Sequence, residues 1–439
     1  MWSDIKEFRL DQFSPASKEG LVVVVLGFVV FQALKTSYTA FYNLFLHPLS
    51  RFRGPATWIA FPVLRNVSQI RGKADHHVVA LHEKLGSVVR VAPNTLSFTT
   101  NTAWKDIYGT GHAELPKDIV KGSGMEERPN IITANSRDHH RFRKAMVPAF
   151  SNDALGRQEP LINGYVDTLV QRIREIARSR NPVADVSTWF TMTTFDIFGD
   201  LCYGESFNGL ASGKQHPWTK AIGDTKFLIP LLVFPGISWL LVLLLVPKKQ
   251  RASLAEHQQL SYNLTMKRIA NKDRHLRGDF MTFMMRSQAE DHGLTDHELA
   301  SNSDIVINAG SETTATALTG ITYFLTRTPK ALERATREVR EAFDSQEAIC
   351  FKDATSKLPY LMGCIDEGLR LYPPVPTALV RRTLPGRPTL IDGHLIPENV
   401  SFSHPSGDSF CFQSYLRQLL IIAIDHSRRT SLGHVSLRE

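Results

Sequence analysis

The sequence has few cysteines and no concentrated charge. Its four cysteines, Cys202, Cys350, Cys364 and Cys411, are too few and too scattered over 439 residues for a disulfide framework. No C-x-x-C pair occurs, so a structural zinc site is not expected. Lys and Arg exceed Asp and Glu by 51 to 43, but they form no block of five or six like charges, which argues against nucleic-acid binding. The chain is expected to be reduced and to face the cell interior.

The composition is that of a chain with a substantial apolar core. Hydrophobic residues make up 43% of the sequence and charged residues 21%. These proportions exclude a disordered, collagen-like or small disulfide-rich protein. The length predicts two to three domains or one large one.

An apolar run begins at Gly20, after a polar N-terminus of 19 residues. Residues 20–34 alone would rise roughly 22 Å as a helix, and continuation to Leu46 makes the run long enough to cross a bilayer. A buried core helix is the alternative, and a cleaved signal peptide fits less well because no basic region precedes the run. Lys35, Arg51 and Arg53 follow without an intervening acid, which favours a cytosolic body behind a single membrane anchor.

A second apolar run covers residues 227–246 and carries no charge. Its length reaches the transmembrane threshold. Pro230, Pro235 and Gly236 favour short broken helices that dip into one leaflet, because proline interrupts helical hydrogen bonding. A full second span, and with it a multi-span membrane protein, remains the alternative.

The rest of the chain is predicted to be mainly α-helical with a minor β-sheet region. Residues 87–93 and 94–100 alternate apolar and polar residues around Pro93-Asn94, which predicts a two-stranded unit. From about Arg137 onward the apolar spacing is helical, and strand patterns return near residues 378–397.

The segment 304–325, DIVINAGSETTATALTGITYFL, predicts a long apolar helix with an unusual centre. Gly310 costs such a helix about 1 kcal/mol relative to alanine, and the hydroxyls after it can bond back to the preceding turn. Together they are expected to open the helix locally. Glu312 beside Thr313 at this opening suits a proton relay. A small-residue helix crossing is the alternative, but it does not require Glu312 in an apolar run.

A second segment, LPYLMGCIDEGLRLYPPVP, places Glu367 and Arg370 three residues apart on one helix face. Such pairs are common on solvated surfaces. Here the apolar neighbours Leu361, Ile365 and Leu369 predict a partly buried ion pair, whose loss would be costly.

These two segments, in this order, resemble the cytochrome P-450 family of haem-thiolate monooxygenases. NAGSETT resembles the family's [AG]-G-x-[DE]-T-[TS] motif, and DEGLRLYPP resembles its E-x-x-R helix. The resemblance covers roughly residues 21–400, and phrases such as HPLSRFRGP and LRLYPPVP are similar to fungal microsomal members that tailor secondary metabolites. It implies a cytochrome P-450 fold, a haem cofactor, and oxidation of an apolar small molecule by dioxygen. The implied partners are an NADPH-cytochrome reductase and the endoplasmic reticulum membrane.

The resemblance also implies roles for the residues of the central helix. Thr313 would help to deliver protons to bound dioxygen, with Glu312 as its acidic neighbour. Ala309 and Gly310 would lie over the haem, where a larger side chain would block oxygen or substrate.

Two basic segments are implied to bind the haem propionates. DHHRFRKAMVPAF resembles the family's W-x-x-x-R helix, with His139 in the tryptophan place and Arg143 in the arginine place. Arg143 would pair with a propionate, because guanidinium–carboxylate bonds are strong. Arg382, with Arg381 as its alternate, is the second candidate. An ordinary surface position is the alternative for Arg143 and Arg382.

The remaining implied residues are structural or line the substrate pocket. Glu367 and Arg370 would stabilise the core near the haem without touching substrate. Thr377 and Ala378, in the loop after them, would line the pocket.

The axial cysteine is where the sequence departs from the family. The family places it in F-x-x-G-x-R-x-C-x-G, whereas the last cysteine, Cys411, lies in HPSGDSFCFQS. Gly407 matches, but His404, Ser409 and Gln413 stand where the pattern has Phe, Arg and Gly. No cysteine is therefore assigned as the iron ligand. Cysteine thiolate ligation is what favours O–O cleavage in these enzymes.

The predicted organisation follows from these observations. Residues 1–19 form a polar N-terminus, 20–46 the membrane anchor, 47–400 a partial cytochrome P-450 domain, and 401–439 an atypical tail of the kind that truncation or mis-splicing produces. The predicted function is a haem-dependent monooxygenase. The alternative is an inactive, membrane-anchored relic that binds no haem.

Overall fold

The structure is a computed structural model. It describes the following residues: 18–109, 114–118, 129–219, 248–271, 278–289, 293–375, 379–403 and 436–437. Within it the chain divides into two compact units, each described separately below. The first contains residues 1–111 and 381–405, and the second contains residues 112–380 and 406–439.

The first unit starts with the apolar N-terminal run. Helix α1 covers Lys18–Phe41 and continues as a π-helical turn over Tyr42–Leu46. The segment Gly20–Leu46 is long and apolar enough to cross a membrane. Its side chains are almost all exposed, which distinguishes it from a buried core helix.

Among its described residues, the first unit also contains four further helices and six strands. The helices are α2 Ala56–Ala60, α3 Pro62–Ile70, α4 Ala74–Leu85 and α5 Asn101–Tyr108. The strands are β1 Val88–Ala92, β2 Thr95–Phe98, β4 Arg381–Arg382, β5 Thr389–Ile391, β6 His394–Ile396 and β7 Ser401–Ser403.

The strands of the first unit form two sheets. The larger has the order β1-β2-β7-β4, with β2 and β7 parallel and the other pairs antiparallel. The turn between β1 and β2 lies at Pro93-Asn94, as the sequence predicted. Strands β5 and β6 form a separate antiparallel hairpin whose turn is Asp392-Gly393.

The described residues of the second unit are almost entirely helical. Its helices are α6 Ser136–Met146, α7 Asn152–Ala177, α8 Val186–Tyr203, α9 Gly209–Ser212, α10 Lys248–Ala270, α11 Phe280–Arg286, α12 Asp296–Arg327, α13 Pro329–Ala342, α14 Phe351–Lys357 and α15 Pro359–Leu371. Short 3₁₀ turns follow α6 and α11, and β3 Val183–Ala184 pairs with β8 Ser436–Leu437.

Helix α12 is the centre of this unit. Its 32 residues span about 48 Å, and it packs against α8, α10, α11, α13 and α15. Apolar residues of these helices form one large buried core. The predicted helix over 304–325 is thus confirmed as part of a longer one. The second apolar run, at residues 227–246, lies outside the described residues.

Candidate active site

The central stretch of α12 places the predicted Ala309 and Thr313 on one side of the helix. The Thr313 hydroxyl donates a hydrogen bond to the Ala309 carbonyl oxygen at 2.6 Å, which is the expected bond to the preceding turn. The backbone nevertheless stays α-helical from Asp296 to Arg327, so the expected local opening of the helix does not occur. The Ala309 carbonyl oxygen has two lone pairs, so it can accept the Thr313 hydroxyl as well as its backbone N–H partner. The side-chain bond therefore does not break the backbone hydrogen bonds of the helix.

Gly310 has a packing reason of its own. A Cβ atom at this position would lie 2.5 Å from the ring of Phe198 on α8. The glycine therefore allows α8 and α12 to approach closely, which is what a small-residue helix crossing requires. The contact of Gly310 with haem stays a prediction.

One side of α12 is left partly exposed by the helices that surround it. The residues on this half-buried side are Ile305, Ala309, Glu312, Thr313 and Thr316. Their neighbours Gly310, Ser311, Thr314 and Ala315 are buried against the rest of the unit. The half-buried side of α12 therefore presents small and apolar side chains, one carboxyl and two hydroxyls to any ligand that binds against it.

The start of α12 is fixed to helix α6 by an ion pair that sequence reasoning missed. The Arg141 guanidinium donates to both carboxylate oxygens of Glu298, one bond measuring 2.9 Å, and to the Gly293 carbonyl at 3.0 Å. The two side chains are 22% and 15% exposed. Glu298 also completes a capping box with Thr295. The pattern Thr-x-x-Glu in TDHE could have predicted the start of the helix. Nothing in the sequence indicated that Glu298 would pair with Arg141.

The same ion pair changes the titration of its members. Burial raises the pKa of Glu298, but the Arg141 bonds and the backbone N–H of Thr295 more than offset this, so the pKa lies below its usual range. The bond to Glu298 raises the pKa of Arg141. Helix α6 is thereby held to α12 by a charge-assisted, bidentate contact.

Helix α6 carries two of the predicted haem-binding residues. His139 is half-buried, and its Nδ1 lies 3.6 Å from Glu114 Oε1. Arg143 is exposed, near the C-terminal end of the helix. An exposed guanidinium can reach an anionic group, so Arg143 is compatible with its predicted role and also with an ordinary surface position.

A further network connects α10 to α12 near the same stretch. His257 Nε2 lies 2.8 Å from Asp304 Oδ1, and the Asn308 amide donates to the same oxygen at 3.2 Å. The indole ring of Trp218 packs edge-to-face on His257 with ring centroids 4.3 Å apart. The partners are 47 residues apart in sequence, so this network was not predicted.

The expected burial of the Glu367–Arg370 pair is wrong. The pair forms, with two bonds of 2.6 Å, but its side chains are 54% and 67% exposed. Helix α15 instead turns Leu361, Ile365 and Gly368 towards the core. The bond to Arg370 lowers the pKa of Glu367, although solvent screens such an exposed interaction.

The other predicted residues belong to different parts of the chain. Arg381 and Arg382 form strand β4 of the first unit and are half-buried beside β7. Thr377, Ala378 and Cys411 lie outside the described residues.

The residues present fit one side of a haem. The small side chains at Ala309 and Thr313 leave α12 open to a flat apolar group. Burial raises the pKa of Cys202 well above its ordinary value and also raises that of Cys364, so neither thiol ionises readily without a bound metal. None of the described cysteines stands in the family's cysteine pattern, so no iron ligand is assigned among them. Among the residues that the structure describes, no group of three or more His, Cys, Asp or Glu side chains could hold a metal ion.

Comparison with known proteins identifies the family. The family model described as Cytochrome P450 matches residues 55–406. Cytochrome P450 monooxygenase dtxS2 of Metarhizium robertsii is 65% identical over 378 residues, which are 86% of this chain and 72% of that protein. Trichothecene C-4 hydroxylase of Trichoderma arundinaceum is 42% identical over 376 residues, covering 83% of this chain and 74% of that protein. Cytochrome P450 monooxygenase olcB of Penicillium canescens is 41% identical over 369 residues, with 83% and 74% covered. Given these matches and its mainly helical fold with small sheets, the chain belongs to the cytochrome P450 monooxygenase family.

Proposed function

We propose that this chain carries the substrate and oxygen side of a haem-dependent monooxygenase that oxidises an apolar small molecule in fungal secondary metabolism. The observation that carries the proposal is the half-buried side of α12, which presents the small side chain of Ala309 next to the Thr313 hydroxyl. The relatives support the reaction class, since they are named monooxygenases and one is a hydroxylase. Dioxygen and electrons from NADPH, delivered by a reductase, complete the proposed reaction.

Thr313 and Glu312 are proposed to handle protons. The Thr313 hydroxyl donates to the Ala309 carbonyl, so its lone pairs are available to accept a hydrogen bond from water or a bound ligand. Glu312, the residue before Thr313, is half-buried and supplies an acid beside the hydroxyl. A bound haem, ligated by a thiolate, would supply the activation of dioxygen.

The binding roles follow the same proposal. Ala309 and Gly310 would face the haem, and His139, Arg143 and Arg382 would hold its propionates. Thr377 and Ala378 would line the substrate pocket. Each role rests on the match to the family motifs.

We also propose that residues 20–46 anchor the protein once in the endoplasmic reticulum membrane, with the catalytic body in the cytosol. The supporting observation is the single candidate span among the described residues, Gly20–Leu46. The catalytic body would begin at residue 47 and extend past the predicted boundary at residue 400, because strand β7, Ser401–Ser403, pairs with both β2 and β4.

A second candidate function is favoured by the cysteines. In that case the 439-residue polypeptide is an inactive membrane-anchored relic that binds no haem. The observation that favours it is the sequence around Cys411, which lacks the Phe, Arg and Gly of the family pattern.

A chimera tests the first candidate, and the 439-residue polypeptide itself tests the second. Residues 1–403 of this chain would be joined to the C-terminal segment of the Metarhizium relative, and the ferrous carbon monoxide difference spectrum would be compared with that of the 439-residue polypeptide. We expect a strongly red-shifted Soret band from the chimera, and none from the polypeptide as it stands. A soluble chimera without the band contradicts the proposed haem function. A band from the polypeptide itself that Cys411→Ser abolishes would assign Cys411 as the iron ligand and exclude the relic.

A further inference from the structure

The second unit has a cavity whose lining differs from that of the half-buried side of α12. Its volume is about 570 Å³, and it is formed by α13, the end of α14 and the start of α15. Small-molecule sites typically measure roughly 300–1,000 Å³. Among the described residues, none of α12 and none of the predicted site residues lines the cavity. The charged residues that line it are Arg334, Arg337, Lys357, Glu338 and Glu341.

The carboxylate of Glu338 is bonded to the start of α15. It accepts hydrogen bonds from the backbone N–H groups of Tyr360 at 2.9 Å and Leu361 at 2.8 Å. Helix α15 has no side-chain cap at Leu358, so Glu338 satisfies N–H groups that would otherwise lack a partner. The positive end of the helix compensates part of the carboxylate charge. Glu338 therefore neutralises the neighbouring cations only in part.

Arg334 stacks on an aromatic wall of the cavity. Its guanidinium carbon lies 4.1 Å from the centre of the Tyr360 ring, which is a cation–π contact. A guanidinium group has five N–H donors in its plane, and stacking uses only its face. The edge of the Arg334 guanidinium therefore keeps donors for a planar or tetrahedral anion.

The other two cations are also available to a ligand. Arg337 is exposed, and in the part of the chain that the structure describes it forms no ion pair, although Glu341 lies one helical turn away. Lys357 pairs with Asp353 at 2.9 Å, but the two side chains are 48% and 40% exposed. Such an exposed pair is weak, so it does not prevent Lys357 from binding an anion.

From this arrangement we infer that the cavity binds a soluble, phosphorylated small molecule, with the phosphate held by Arg334, Arg337 and Lys357. Guanidinium groups bind phosphate through paired N–H donors, and an ammonium group adds a point charge. Glu341 opposes the anion and therefore limits the affinity. The inference goes beyond the proposed function and needs no haem, so its failure would leave the proposed oxidation untouched.

Isothermal titration calorimetry with inorganic pyrophosphate tests this inference on the full chain in neutral detergent micelles at constant ionic strength. Arg337→Gln should weaken binding about tenfold or more, because hydrogen bonds to charged groups are strong. The matched control is Arg340→Gln, which removes an exposed cation of the same helix that does not line the cavity, and should change the affinity less than about twofold. Glu341→Gln should strengthen binding, because it removes the opposing charge.

The outcomes separate a site from general attraction to a basic surface. Equal weakening by Arg337→Gln and Arg340→Gln overturns the inference, as does the absence of binding to the parent chain at millimolar pyrophosphate. Lys357→Gln, on a different helix, should also weaken binding, and it replaces Arg337→Gln if that variant unfolds at a lower temperature than the parent. Displacement of pyrophosphate by phosphatidic acid in nanodiscs would assign the cavity to a lipid headgroup and overturn the soluble ligand.

Discussion

The contact between Arg141 and Glu298 gives the most quantitative prediction. Glutamine at position 298 keeps the length of the side chain and can still serve a capping box, so Glu298→Gln removes the charge and little else. A hydrogen bond to a charged group contributes about 1.5–3 kcal/mol. Because the two side chains retain 22% and 15% exposure, we expect a loss of about 2–3 kcal/mol, rather than the larger cost of breaking a fully buried pair.

Native-state amide hydrogen exchange measures this loss locally. Opening of α6 from α12 should become about 30- to 150-fold more frequent in Glu298→Gln, since 1.4 kcal/mol corresponds to a factor of ten. Thr295→Ala removes the cap alone and should cost about 1 kcal/mol. The matched control is Asp153→Asn, which breaks an exposed pair with Arg157 and should cost about 0.5 kcal/mol or less.

The pH dependence provides an independent check. The pKa of Glu298 is depressed in the folded state, so its contribution is fully present above the unfolded pKa of about 4.3 and is lost as the pH falls through the folded value. Glu298→Gln should therefore exchange faster than the parent chain at neutral pH and approach it below that range. Equal exchange of α6 in the parent and in Glu298→Gln at neutral pH would refute this reasoning.

Three further predictions concern α12 and α15. Gly310→Ala should lower the stability of the second unit by about 1–3 kcal/mol, because its Cβ would overlap the Phe198 ring, and the added variant Phe198→Leu should restore part of the loss in thermal unfolding. In the active chimera, Thr313→Ala should divert reduced oxygen to peroxide, whereas Thr313→Ser should keep NADPH consumption coupled to product formation. If the chimera and both variants form the same amount of product per NADPH consumed, the hydroxyl has no part in the mechanism. Glu367→Gln should leave the unfolding midpoint of this chain unchanged, since the pair with Arg370 is exposed; a clear drop would mean that the pair is covered in solution.

Local patterns in the sequence were sufficient to predict some of the elements, but not helices α2 to α5. The length and apolar composition of Gly20–Leu46 predicted a helix that could cross a membrane, and the structure contains this helix. The turn at Pro93-Asn94 and the alternation on either side predicted β1 and β2 correctly. The central helix and the α15 helix followed from apolar spacing, and their motifs indicated the family that the comparisons then identified.

Only the tertiary structure decided which faces of those elements are covered. Helical spacing placed Glu367 and Arg370 together, but the packing of α15 through Leu361 and Ile365 left the pair in solvent. The reason for Gly310 is the ring of Phe198, a partner more than a hundred residues away in the chain.

The Arg141–Glu298 pair, whose members are 157 residues apart, likewise exists only when α6 lies across the start of α12. Propensity and periodicity act over a few residues, so the sequence by itself determined the N-terminal helix, the β1–β2 unit, the two motif helices and the motif positions. Which side chains are buried and which are paired depends on the surfaces that meet after the chain has folded. Only the tertiary structure decided this burial and pairing.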